Sequence, residues 1–144
     1  MTRVKIKFPE HNPLYIATIL VRIGDINYGG HLGNDSILSI MHEARMLWLG
    51  SKGYTELDAA GPSLIMADVM IAYKNEGFYG DELAVQLYAE NVSARTFDLL
   101  YRITTVRDGL SIDIAHGKTG MVCFDYDLRK VVGMSEGLRM LLQG

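Results

Sequence analysis

The sequence predicts an α+β domain in which one antiparallel sheet covers one long amphipathic helix. Three observations point there: a strand-like run precedes the only long helical pattern, four strand-like runs follow it, and an Asp-Gly pair joins the last two. Residues 14 to 24 are rich in β-branched and aromatic types and end at a glycine, which favours a first strand. From residue 35 to 49 the apolar side chains Ile37, Leu38, Met41, Ala44, Leu47 and Trp48 recur at spacings of three and four, which is the period of a helix of about four turns. Asn34, Asp35 and Ser36 all suit its N-cap, and Gly50 and Gly53 mark its end. After the Gly61-Pro62 break, residues 63–74, 82–91, 95–107 and 110–124 read as strands in an antiparallel meander. Asp108-Gly109 supplies the positive φ angles of a tight hairpin between the last two. A short helix over 135–142 closes the chain.

In the strand over 95–107, Phe97, Leu99, Tyr101 and Ile103 share one parity and make an apolar face, while the opposite face is mixed. One helix cannot cover every edge of such a sheet, so pairing between copies of the chain is expected, giving at least a homodimer.

The chain has 144 residues and a mass of 16.0 kDa, one domain spanning 1–144, large enough to bury roughly 68–70% of its unfolded surface without crosslinks. Cys123 is the only cysteine, so an internal disulfide is excluded. With 14 Lys and Arg against 17 Asp and Glu, the net charge is −3 and no basic stripe marks a nucleic-acid footprint. The N-terminus lacks the apolar core of a signal peptide, and no window approaches 18 uninterrupted apolar residues. A soluble, cytoplasmic protein with neither nucleic acid nor membrane as partner is expected.

The densest run of chemically capable residues is the glycine-spaced turn from Asp25 to Asp35, between the first strand and the helix. Gly29, Gly30 and Gly33 allow a ligand to approach the backbone, and the helix start offers unpaired amide donors that can polarise a carbonyl oxygen. Such turns also precede helices for purely structural reasons.

The run Arg22-Ile-Gly-Asp-Ile-Asn-Tyr-Gly-Gly-His-Leu-Gly-Asn, with His42-Glu-Ala-Arg45 in the helix, resembles the hot-dog-fold acyl-CoA thioesterases of the hydroxybenzoyl-CoA thioesterase-like group. Their pattern is approximately R-x-x-D-x-D-x-x-G-H-x-x-N with E-A-R in the helix. Tyr73-Lys-Asn-Glu-Gly-Phe-Tyr-Gly-Asp-Glu-Leu83 is similar to the family segment ending in G-D-E-L, and Met134-Ser-Glu-Gly-Leu-Arg139 to its closing P-E-x-L-R. The resemblance spans residues 14–142. It implies a long helix wrapped by a curved sheet, dimers that often assemble into dimers of dimers, and metal-free hydrolysis of acyl-CoA or acyl-carrier-protein thioesters at shared sites. CoA enters only as part of the substrate; no separate cofactor is implied.

One departure matters. Asn27 stands where the family has the second Asp of D-x-D, its usual nucleophile or general base. A carboxylate can take a proton from water, whereas an amide lacks a basic lone pair and can only orient water or substrate. Three nearby carboxylates could substitute, Asp25, Asp35 and Glu43, and the leading reading has Asn27 and His31 position the carbonyl or water with Asp35 or Glu43 as the base. Each has a structural alternative: Asp35 as a cap, Glu43 in an ion pair with Arg45 or Arg22, His31 as a turn residue, and Asp25 as the residue holding the turn. Tyr28, Gly30, Gly33 and Asn34 are the candidate substrate-binding residues. Lys74, Arg95, Lys118 or Arg129 are candidates to meet CoA phosphates.

Two other functions fit the same motif: a silent acyl-thioester-binding protein that has lost its base, and a hot-dog enoyl-CoA hydratase, whose D-x-N-x-x-H is one residue shorter than Asp25 to His31. No serine stands in a G-x-S-x-G elbow, Cys123 lies in an apolar segment, and no His or Cys spacing suggests zinc.

Overall fold

The computed structural model describes residues 1–144. Strand β1 (Tyr15–Leu20) leads through a single 3-10 turn (Ile23–Asp25) into helix α1 (Asn34–Ser51). Strands β2 (Ser63–Tyr73), β3 (Glu82–Glu90), β4 (Thr96–Arg107), β5 (Leu110–Asp125) and β6 (Lys130–Val131) follow, and α2 (Glu136–Leu142) closes the chain. No helix is long and apolar enough to cross a membrane.

The strands after the helix do not form a simple meander. All are antiparallel, in the order β1-β3-β4-β5-β2, with β6 also paired to β5. Only β3, β4 and β5 meander; β2 crosses to the far edge, and β1 takes the opposite edge beside β3. Strand-forming composition identifies segments but not partners, so the crossover lay beyond the sequence pattern. The tight turn between β4 and β5 is as expected, with Asp108 at φ 51° and Gly109 at φ 76°, both positive as a type I′ turn requires.

Helix α1 lies against one face of the sheet through Ile37, Ile40, Met41, Ala44, Trp48 and Leu49, all buried. They meet Leu83, Val85, Leu87, Phe97, Leu99, Tyr101 and Ile103 in one apolar core. Each fully buried Leu or Ile contributes roughly 1.5–3 kcal/mol relative to exposure. Leu38 and Leu47, expected on the buried stripe, are each 37% exposed on its flanks, beside surface cavities. Helix α1 is capped by Gly33 in extended conformation without a side-chain hydrogen bond, not by Asn34, Asp35 or Ser36, which form its first turn. In α2 the cap is conventional: Ser135 Oγ accepts from the Leu138 amide at 3.0 Å.

The other face of the sheet is partly covered by the N-terminal segment. The Phe8 ring stands 5.6 Å from that of Tyr88 and 5.0 Å, edge-on, from that of His116. Strand β2 pairs with β5 on one side only, and its Met66, Val69 and Met70 are exposed along that free edge.

Candidate functional site

The turn before α1 is built by its own polar groups. The Asp25 carboxylate accepts from the Arg22 amide at 2.9 Å, and its carbonyl accepts from the Gly33 amide at 2.9 Å and from Ser36 Oγ at 3.1 Å. Asp25 thus ties the end of β1 to the helix start. Asn27 Oδ1 accepts from the Gly29 amide at 2.9 Å, its amide donates to the His31 carbonyl at 2.9 Å, and its carbonyl accepts from Gly30 at 3.1 Å. This Asx turn commits the side-chain oxygen of Asn27 and leaves its Nδ2 free to donate.

The next contact reaches across the fold. The Leu32 amide donates to the Gly77 carbonyl at 2.7 Å. A Cβ on Gly77 would stand 2.9 Å from Leu32 Cδ2 and 3.0 Å from Leu32 Cβ, so only glycine lets the chain leaving β2 lie so close to the turn. The residue before it, Glu76, is thereby brought beside His31, with Oε1 3.8 Å from Nε2. The Tyr73 hydroxyl donates to the Asn34 carbonyl at 3.3 Å from the other side.

Between these segments lies a cleft of about 230 Å3, lined by His31, Asn34, Tyr73, Lys74, Asn75 and Glu76 over a floor of Leu32, Ile37 and Ile114. It opens at the first residue of α1, Asn34, whose amide donates to no protein acceptor. The partial positive charge of a helix start is therefore available to an incoming oxygen.

The expected site residues divide. His31 and Asn34 line the cleft, with Asn27 in the adjoining turn and Gly33 buried as the cap. Tyr28 is fully exposed and Gly30 is exposed at the turn tip, so neither reaches the cleft of its own chain. Asp35 folds back over the cap; a Cβ on Gly33 would stand 2.7 Å from its Oδ1. Glu43 faces a different cavity, of about 540 Å3, with Arg22, Asp25 and Ser39. Of the candidate CoA contacts, Lys74 borders the cleft, whereas Lys118 is held on the other face of the sheet by Asp68 at 2.8 Å.

Arg45 of the E-A-R match pairs with neither Glu43 nor any cleft residue. Its Nε donates to Glu56 Oε2 at 3.0 Å and its Nη1 to the Tyr101 hydroxyl at 3.0 Å, while Tyr101 and Thr119 share a 2.8 Å hydrogen bond. Burial alone would lower the guanidinium pKa, but Tyr101 and Glu56 outweigh it and hold the value above the ordinary one. Burial pushes the Tyr101 phenol up. This is an internal strut between α1 and the sheet. Cys123 is buried, and burial raises its thiol pKa against an opposing effect of Arg139. No group of three His, Cys, Asp or Glu stands close enough to hold a metal ion.

Residue chemistry alone does not single out Glu76, Tyr73 or Gly77. They lie inside the Tyr73 to Leu83 match, and the only local signal was the charged Lys74-Asn-Glu76 triplet directly after an apolar strand.

Residues 21–142 match the model of the thioesterase-like superfamily. Among solved structures, the chain is similar to a 1,4-dihydroxy-2-naphthoyl-CoA thioesterase from Synechocystis, with TM-score 0.78, 22% identity, and 90% of this chain and 95% of that one covered. It is similar to a gentisyl-coenzyme A thioesterase, with TM-score 0.74, 15% identity, and 89% and 99% covered. A member of the thioesterase superfamily from Jannaschia sp. CCS1 gives TM-score 0.77 at 18% identity, covering 88% and 79%. Comparison with curated proteins by sequence gives no match.

Proposed function

Because the chain belongs to the thioesterase-like superfamily and has its hot-dog fold, we propose that it hydrolyses an acyl-CoA thioester to a free acid and a thiol. The supporting observation is the cleft at the start of α1, where the unengaged backbone amide of Asn34 adjoins His31. As water attacks a thioester, charge develops on the carbonyl oxygen. Fixed donors aimed at that oxygen stabilise the transition state more than the ground state, which is how such sites accelerate acyl transfer. His31 donates toward the substrate or the leaving thiol, and Asn27 Nδ2 holds water or substrate at the rim. Lys74, at the cleft border, meets the charged part of the CoA.

The protein works as a homo-oligomer in this reading, since the exposed edge of β2 with Met66 and Val69 is an unpaired ladder that a second copy can complete. Glu43 and Tyr28, which face away from the cleft of their own chain, would serve a site only across such an interface. Light scattering that returns a monomer would remove both statements.

The experiment for the activity is a panel of aliphatic and aromatic acyl-CoAs incubated with the purified protein and a thiol reagent. Release of free CoA is the expected result. Loss of enoyl absorbance without thiol indicates hydration instead, and saturable binding with neither product indicates a silent binding protein.

A further inference from the structure

The cleft holds a carboxylate that the motif does not supply. Asn27 stands where a proton-accepting side chain is needed, and its Oδ1 is spent on the Gly29 amide. Asp35 is turned back over the Gly33 cap, and Glu43 opens into a separate cavity. Glu76 alone among the acidic residues lines the cleft, with Oε1 3.8 Å from His31 Nε2. Its placement is fixed from both ends. Strand β2 delivers it to the cleft, and the Gly77 carbonyl is bonded to the Leu32 amide one residue from His31.

Resting on the thioesterase reading above, we propose that Glu76 is the general base of this site, taking over the proton-accepting role that Asn27 cannot fill. The water oxygen bonds to the thioester carbonyl carbon while one water proton passes to the Glu76 carboxylate. The carbonyl π pair moves onto oxygen, which the Asn34 amide at the cleft is placed to receive. Collapse re-forms the carbonyl and breaks the C–S bond, and the sulfur leaves with the bonding pair. The proton held by Glu76 passes to that thiolate, directly or through His31, so acid and thiol are released and the carboxylate is restored. The Glu76 side chain is exposed and points toward His31 without a hydrogen bond to it, so closing around substrate is what brings the two together.

The test uses the full-length protein and whichever acyl-CoA of the panel the wild type turns over. Glu76→Gln keeps the shape and removes the base, so kcat should fall by about 100-fold or more while KM stays within a few-fold. Glu76→Ala should lose as much and regain part of its rate in added formate, a small carboxylate that can occupy the vacated space; a variant that had merely misfolded would not respond. Glu76→Gln at the wild-type rate, with the loss appearing instead in Glu43→Gln or Asp35→Asn, overturns the assignment and leaves hydrolysis standing. A wild-type protein that cleaves no thioester overturns both.

Discussion

The amide of Leu32 donates to the carbonyl of Gly77 at 2.7 Å, and this one bond joins the turn before α1 to the segment leaving β2. The two segments are far apart in sequence, and each carries part of the cleft: His31 and Asn34 from one, Tyr73 to Glu76 from the other. The close approach depends on the missing side chain at Gly77.

Gly77→Ala should therefore separate the two halves of the site. The new methyl meets Leu32 at its Cβ, near the backbone, where it cannot simply rotate away. Overpacking of this kind costs about 1–3 kcal/mol, so the protein should still fold. Misplacing Glu76 relative to His31 should lower kcat about tenfold or more. Thermal melts and steady-state thiol release measure the two effects; a melting point that drops while kcat holds would show that Gly77 serves packing alone.

Arg45→Met should destabilise the fold by about 3 kcal/mol, because it leaves Glu56 without its guanidinium partner and takes a donor from the buried Tyr101 hydroxyl. Glu56→Gln in the same chain removes the charge that is left with only His42, at 2.6 Å, beside it and should return part of that loss. Urea denaturation of the two single variants and the double variant gives the coupling. Full additivity would mean that the Arg45–Glu56 pair does not act as a unit.

Stability should decline in acid through Asp113. Burial pushes its carboxyl pKa up, but hydrogen bonds from Arg102 and His116, at 3.1 and 2.5 Å, outweigh this and hold it below the ordinary value of 3.8. A carboxyl depressed in the folded state contributes its full stability above that ordinary value, and the contribution is lost as pH falls through the folded value. The window thus lies below about pH 4. Arg102 is half-exposed, so the whole effect should be no more than about 1 kcal/mol. Denaturation of wild type and Asp113→Asn at about pH 3 and pH 6 checks it: the variant should show the shallower acid decline. Equal declines would place the acid sensitivity elsewhere.

Much of this architecture is written in local pattern. The helix, the strand segments and the β4–β5 turn follow from apolar periodicity and from one Asp-Gly pair, because each depends on neighbours a few residues away. The glycine-rich turn before the helix is legible for the same reason, and its length and residue types carry the family resemblance. The 3-10 turn and β6 were not legible; each is only two or three residues long and follows from tertiary contact rather than from any period.

The lining of the candidate cleft is half legible in the sequence. His31 and Asn34 announce themselves beside a helix start, where unpaired amides are a geometric necessity of any helix. The fate of Asp35 and Glu43 was not readable, since Asp35 folds over an N-cap that proved to be Gly33, and Glu43 is directed by helical phase into a different cavity.

From its order of residues alone, the chain determined which segments coil or extend, and that a polarising helix start follows a glycine-spaced turn. Those outcomes depend on backbone sterics and on hydrogen bonds over short separations. Only the tertiary structure decided that β2 crosses to the edge beside β5 and that its end returns to the turn. The cause is long-range packing: burying one face of the sheet against α1 fixes the strand order, and that order brings Glu76 to His31.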